Sequence, residues 1–240
     1  MQTLTLTRPD DWHLHLRDGA ALATVVPHTV RQFARAIVMP NLKPPVVTTT
    51  QAIAYRGRIQ AALPEGLNFT PLMTLYLTDS TAPEEIRRAQ ASDAVIAAKL
   101  YPAGATTNAE NGVTRMERIY PALAAMEEAG MPLLVHGEAT AADIDVFDRE
   151  RAFIEASLLP LLRDFPGLRI VFEHITTADA AELVREGPQT LAATIAWSYR
   201  LLDEQEAASG PPGSLPRRLQ EAGWKLSATG FRLLSLGIGL

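Results

Sequence analysis

The 240-residue chain has no cysteine, which excludes disulfides and thiolate metal sites, so any metal must be held by nitrogen and oxygen ligands. Positive charge is also scarce. Lys and Arg number 22 against 27 Asp and Glu, the net charge is −5, and the pI is about 5.6. With no basic stripe carrying interleaved aromatics, this balance argues against a nucleic-acid partner. No apolar run approaches the length of a membrane span, and the N-terminus lacks a basic segment followed by an apolar core and cleavage site. A cytoplasmic protein without a membrane partner is therefore expected. No internal repeat of solenoid period is present. What remains, at 47% hydrophobic residues, is a globular chain with a sizeable core and a bias toward small-molecule chemistry.

Histidine is the next scarce residue, and its five positions are informative. In Trp12-His13-Leu14-His15-Leu16-Arg17-Asp18-Gly19, strand alternation would project His13 and His15 the same way, with Trp12, Leu14 and Leu16 opposite. Two imidazoles on one strand face suggest a metal. Arg17, continuing that face, would set a guanidinium fork beside it, suited to a carboxylate on a ligand. Taken alone, the pair could also be two unrelated histidines on a polar face, the lesser of the two readings. His136 and His174, however, also close short apolar runs, Leu133-Leu134-Val135-His136 and Ile170-Val171-Phe172-Glu173-His174. Function collects at the C-terminal ends of buried parallel strands. His28 falls outside this pattern and reads as an ordinary surface or helix residue.

Strand-like runs over 12–17, 35–40, 69–78, 94–101, 133–136, 170–174 and 191–195 alternate with helical patterns over 49–62, 83–91, 115–129, 141–162 and 178–185. Such alternation predicts a parallel α/β fold. An open doubly wound sheet fits it as well as a barrel does. The barrel is favoured because histidines on strands one, five and six converge only if the sheet curls round. Lys99, near the end of the fourth run, could be a strand end reaching solvent. Its small and apolar neighbours make a charged ammonium costly there unless it is paired or modified.

The motifs His13-Leu14-His15-Leu16-Arg17-Asp18-Gly19, Val38-Met39-Pro40-Asn41-Leu42, Ala98-Lys99-Leu100-Tyr101-Pro102, Val135-His136-Gly137-Glu138 and Phe172-Glu173-His174-Ile175-Thr176 resemble, in order and spacing, the shorter single-domain bacterial dihydroorotases of the amidohydrolase superfamily. The resemblance implies a (β/α)8 TIM-type barrel and reversible hydrolysis of the cyclic amide of dihydroorotate to N-carbamoyl-aspartate in pyrimidine synthesis. It also implies two Zn2+ per subunit. His13 and His15 would bind one zinc, His136 and His174 the other, and carboxylated Lys99 would bridge them. Such a pair lowers the pKa of a bridging water and polarises the amide carbonyl. Imidazole and carboxylate ligands suit zinc but admit cobalt or manganese. The resemblance makes Arg17 and Asn41 the carboxylate holders, with His15 and His136 also beside the substrate, and Thr106 and Thr107 part of a loop covering it. Without it, Pro40-Asn41 could equally be a turn. A homodimer is implied as well.

The resemblance fades near residue 195. The family's eighth strand ends in Gly-Thr-Asp-Ser-Ala-Pro-His, whose aspartate binds zinc and acts as general base, and the 240 residues contain no such motif. No catalytic acid or base is therefore identified. The expectation is a seven-stranded, incomplete barrel over 1–195, its eighth strand missing or replaced, followed by a divergent tail over 196–240. Such a break suggests a shifted reading frame or truncated gene, set against a lineage-specific C-terminus. Loss of a general acid/base costs about 10²–10⁴ in rate. The alternatives are a non-catalytic metal-binding fragment or dimerisation partner, and, more weakly, a mononuclear hydrolase using Asp18 or Glu138 as base.

Overall fold

The structure, a computed structural model, describes residues 7–195. Seven parallel strands, β1 (Asp10–Leu14), β2 (Arg35–Val38), β3 (Thr70–Tyr76), β4 (Val95–Leu100), β5 (Leu133–His136), β6 (Ile170–Ile175) and β7 (Leu191–Ile195), pair in sequence order. Among the described residues they form a nearly closed barrel with one unsealed seam, between β7 and β1. The curl is visible in the side chains. On a flat sheet the five spacings from β1 to β6 would separate their residues by about 24 Å, yet the His13 and His174 rings lie 5.2 Å apart. The tail expected over 196–240 lies outside the described residues.

Strand alternation sorts the side chains into two layers. Ala98, Leu100, Leu133, Val135, Ile170 and Phe172 face outward into the main core beneath the helices. Their neighbours Ala97, Leu134 and Val171 turn inward with Ile37 and Leu72 and fill the barrel floor. Two residues further along the same inward rows come Lys99, His136 and Glu173.

The helices are α1 (Ala20–Val30), α2 (Thr49–Ala61), α3 (Pro83–Gln90), α4 (Tyr120–Ala129), α5 (Arg149–Phe153), α6 (Leu159–Asp164) and α7 (Ala178–Glu186). Thr48 and Gln51 close a capping box at α2, and Gly130 ends α4 with φ 63°, a left-handed stop that suits glycine. Two elements depart from the sequence reading. Helix α1 was not among the expected stretches: it is rich in β-branched residues and carries Pro27, which removes a helical hydrogen bond. Burial of Leu22, Val26 and Val30 overrides that local preference. The helix expected over 141–162 begins only at Arg149. Asp145 takes the N–H of Phe147 on its side chain (2.9 Å) and that of Asp148 on its carbonyl (2.9 Å), which favours turns over helix. A π-helical turn, Ile154–Leu158, then precedes Pro160 at the start of α6.

Candidate metal centre

Strand β1 stops at Leu14, three residues earlier than the sequence suggests. The alternation argument therefore does not extend to Arg17, which has φ 61° and an exposed side chain. His13 and His15 nevertheless meet, Nε2 to Nε2 at 3.1 Å. Across the barrel His136 Nδ1 stands 3.1 Å from His174 Nε2. Tetrahedral zinc with Zn–N near 2.0–2.1 Å separates its ligand nitrogens by about 3.3 Å. Both pairs are therefore close to the edge of a coordination shell. Lys99 lies beneath them, 0% exposed, and forms an ion pair with Glu173, 1% exposed. The other oxygen of Glu173 is 3.0 Å from His13 Nδ1. His13, Glu173 and His174 by themselves offer three ligand atoms within 4.8 Å of one another.

His174 owes its place to its surroundings. Its φ of 46° is unfavourable for a non-glycine residue, and the conformation is held on both sides. Its N–H donates to Thr194 Oγ1 (2.8 Å) on β7. Buried Glu150 on α5 accepts the N–H groups of Thr176 (3.0 Å) and Thr177 (2.9 Å), which tethers the turn to α7. Asn41 donates its side-chain amide to the carbonyl of Thr107 (3.0 Å), while Asn108 donates to the Asn41 carbonyl (2.9 Å). The loop expected to cover a ligand is thus stapled to the end of β2. A cavity of about 260 Å³ opens there, lined by the four histidines with Asn41, Tyr101 and Thr106. Arg17 and Thr107 are not in its lining. Of the acids weighed as alternative bases, Asp18 is held by Arg58 through Nε (2.9 Å) and Nη2 (2.7 Å). Glu138 lies 3.7 Å from His136 Nε2.

Electrostatics prepares the imidazoles for a cation. Burial, then the charges of His13, Arg17 and Lys99, brings His15 down to about 4. Burial followed by Lys99 brings His136 to about 4 and His174 to about 3. At neutral pH these rings hold free lone pairs, as metal ligands must. Buried His136 Nε2 has no hydrogen-bond partner among the described residues. For Glu173 burial works upward, but the Lys99 charge and the His13 contact outweigh it and hold the carboxyl below the usual range. The residues present fit a nitrogen- and oxygen-bound divalent metal.

A stability consequence follows for the metal-free chain. Above about pH 6.5 the imidazoles are neutral in both folded and unfolded states. Below it the unfolded chain binds protons that folded His136 refuses until about 4 and His174 until about 3. Stability should therefore fall between pH 6.5 and 4. Calorimetric scans should show the Tm declining across that window. A flat profile would mean that these rings are not buried as neutral groups.

Glu173, Tyr101, Glu150 and Thr194 were not singled out from sequence. Glu173 had a usable signal, being a lone acid in an apolar run, the same anomaly that drew attention to Lys99.

The amidohydrolase family model matches residues 11–224. The chain is 62% identical over 210 residues to the dihydroorotase of Azoarcus sp. (strain BH72), covering 88% of this chain and 61% of that protein. It is 64% identical over 209 residues to the dihydroorotase of Cupriavidus taiwanensis, covering 87% and 61%. The chain thus spans about three-fifths of the length of these relatives. The crystal structure of dihydroorotase from Campylobacter jejuni superposes with a TM-score of 0.71 at 42% identity, covering 78% of this chain and 54% of that one. The chain belongs to the amidohydrolase family.

Proposed function

We propose that this chain carries the ligand set of a zinc-dependent cyclic amidohydrolase interconverting dihydroorotate and N-carbamoyl-aspartate. The observation that supports this reading best is the convergence of two histidine pairs, each 3.1 Å between nitrogens, over buried Lys99. In this reading His13 and His15 would hold one zinc and His136 and His174 the second, with Lys99, once carboxylated, supplying oxygen ligands in place of its ammonium. Zinc bound there supplies Lewis acidity toward the amide carbonyl and lowers the pKa of a water.

The chain's own groups do the rest. Glu173 lies against His13 Nδ1 and leaves Nε2 turned toward His15, so Nε2 is the ring atom His13 would offer to a metal. Carboxylation would make Lys99 an anion, and the Lys99 to Glu173 ion pair belongs to the unmodified, metal-free protein. Asn41, assisted by His15 and His136, would hold the ring carboxylate, and Arg17, exposed and outside the cavity lining, would have to swing in to add its guanidinium. Their donors favour carboxylated rings, because a ring without the carboxylate leaves polar groups unpaired. Thr106, which lines the cavity, and Thr107 from the same loop would cover the ligand.

A second reading rests on the carboxylates. Among the described residues Asp18 is committed to Arg58, while Glu138 is 40% exposed and 3.7 Å from His136 Nε2. No Gly-Thr-Asp-Ser-Ala-Pro-His motif occurs in the chain. The 240 residues alone would then bind metal and turn over slowly or not at all, as a barrel of residues 1–195 with a divergent tail over 196–240, paired as a homodimer in the cytoplasm. The deciding experiment loads the purified chain with zinc and bicarbonate, then measures metal per chain and turnover of dihydroorotate and N-carbamoyl-aspartate. Zinc uptake lost in His136→Ala, with turnover well below that of a full-length relative, is expected. Failure to bind zinc would overturn the proposed ligand set.

A further inference from the structure

Three buried tyrosines surround the upper barrel, and two of them have placed their hydroxyl protons. Tyr55 donates to the carbonyl of Arg17, and Tyr76 donates to the carbonyl of Asn108 (3.2 Å). Tyr101 does not. It is 1% exposed, yet its Oη has no hydrogen-bond partner among the described residues. A buried hydroxyl left unpaired is destabilising, and phenylalanine would fill the same space without that penalty.

The position of Tyr101 shows where a partner would come from. It follows β4, two residues beyond Lys99 on the same inward row. Its ring stacks on Tyr76 with centroids 5.0 Å apart and lies 5.9 Å from the ring of His136. Lys99 Nζ is 5.2 Å from its centroid, and the residue lines the cavity with the four histidines. The ring is thus fixed by packing, which leaves the hydroxyl little freedom to find solvent.

We infer that Tyr101 is a specificity-determining residue, whose hydroxyl donates a hydrogen bond to an oxygen acceptor, carbonyl or carboxylate, on the ring bound in this cavity. The assignment rests on the proposed amide-ring reading and adds to it a contact from the β4 side, opposite in kind to the charged fork of Arg17. A ligand lacking an oxygen at that point leaves the phenol unpaired and is disfavoured for that reason.

The test is Tyr101→Phe in the full, zinc-loaded chain, titrated calorimetrically with dihydroorotate and compared with the unsubstituted protein. Affinity should fall about tenfold, the worth of one hydrogen bond. Zinc per chain should be unchanged, and the Tm of the ligand-free variant unchanged or higher, because no internal bond is lost. Tyr76→Phe, which removes a used proton, should instead lower the Tm. Equal affinity in Tyr101→Phe overturns the inference while leaving the proposed function standing. A Tm lowered by several degrees in that variant also overturns it, by revealing an internal partner. Zinc-loaded unsubstituted chain that binds no dihydroorotate overturns both.

Discussion

Replacing Glu173 by alanine is expected to destabilise the metal-free, bicarbonate-free chain by about 3–5 kcal/mol, the cost of removing one partner from a buried ion pair. Lys99 is 0% exposed and Glu173 1%, and each is the other's counter-charge. Burial already draws the Lys99 ammonium below its ordinary pKa, with Glu173 the group that opposes this. Without the carboxylate the amine must either remain charged in an apolar floor or fold deprotonated. Both are unfavourable near neutral pH, and the second becomes less so as pH rises toward the ordinary lysine pKa, so the loss should shrink in alkaline buffer. Urea unfolding measures the effect. The double variant Lys99→Met, Glu173→Leu separates the pair from the packing, because apolar groups of similar volume replace a buried ion pair at little cost. Stability of the double variant well above that of Glu173→Ala is expected. If Glu173→Ala unfolds within 1 kcal/mol of the unsubstituted chain, Lys99 is not held charged by Glu173.

The same pair shows how far the sequence was legible. Lys99 stands out in the sequence as a cation among small apolar residues, and the structure pairs it with Glu173. The partner was missed because alternation on β6 assigns Glu173 and His174 to opposite faces, whereas the left-handed φ of His174 brings both into one site. Periodicity cannot anticipate a residue that leaves its strand geometry. At β1, His15 lies beyond the last strand residue, so its meeting with His13 was expected for a reason that does not hold locally. Strands β2 to β7 were placed to within two residues because buried parallel strands read as apolar runs whatever lies at their ends. Helix α1 was hidden because tertiary burial, which no local pattern reports, outweighs Pro27.

Gly137→Ala should couple the core to the metal ligands. Gly137 directly follows His136 at the end of β5, and a Cβ placed on it would stand 1.8 Å from Cε2 of Phe172, with two further ring atoms at 2.7 and 2.9 Å. Something must shift. Phe172 is fully buried and stacks on Phe153 with centroids 6.3 Å apart, so the ring has no open space to swing into. Overpacking of this kind costs about 1–3 kcal/mol. The displacement also reaches the site, since Phe172 pairs with Val135, and His136 with Glu173, across the β5 and β6 register. Movement of either strand end pulls the 3.1 Å pair of His136 and His174 apart. Zinc affinity should therefore fall about 10–100-fold, the scale seen when the supports of ligands are disturbed. Trimming the ring in Gly137→Ala, Phe172→Leu removes the colliding atoms, so the double variant should be more stable than the sum of the two single changes implies. Urea unfolding of the four proteins, with zinc titration of each, measures both effects. Strict additivity in the cycle, or undiminished zinc affinity in Gly137→Ala, would show that the end of β5 yields to the extra methyl without moving His136.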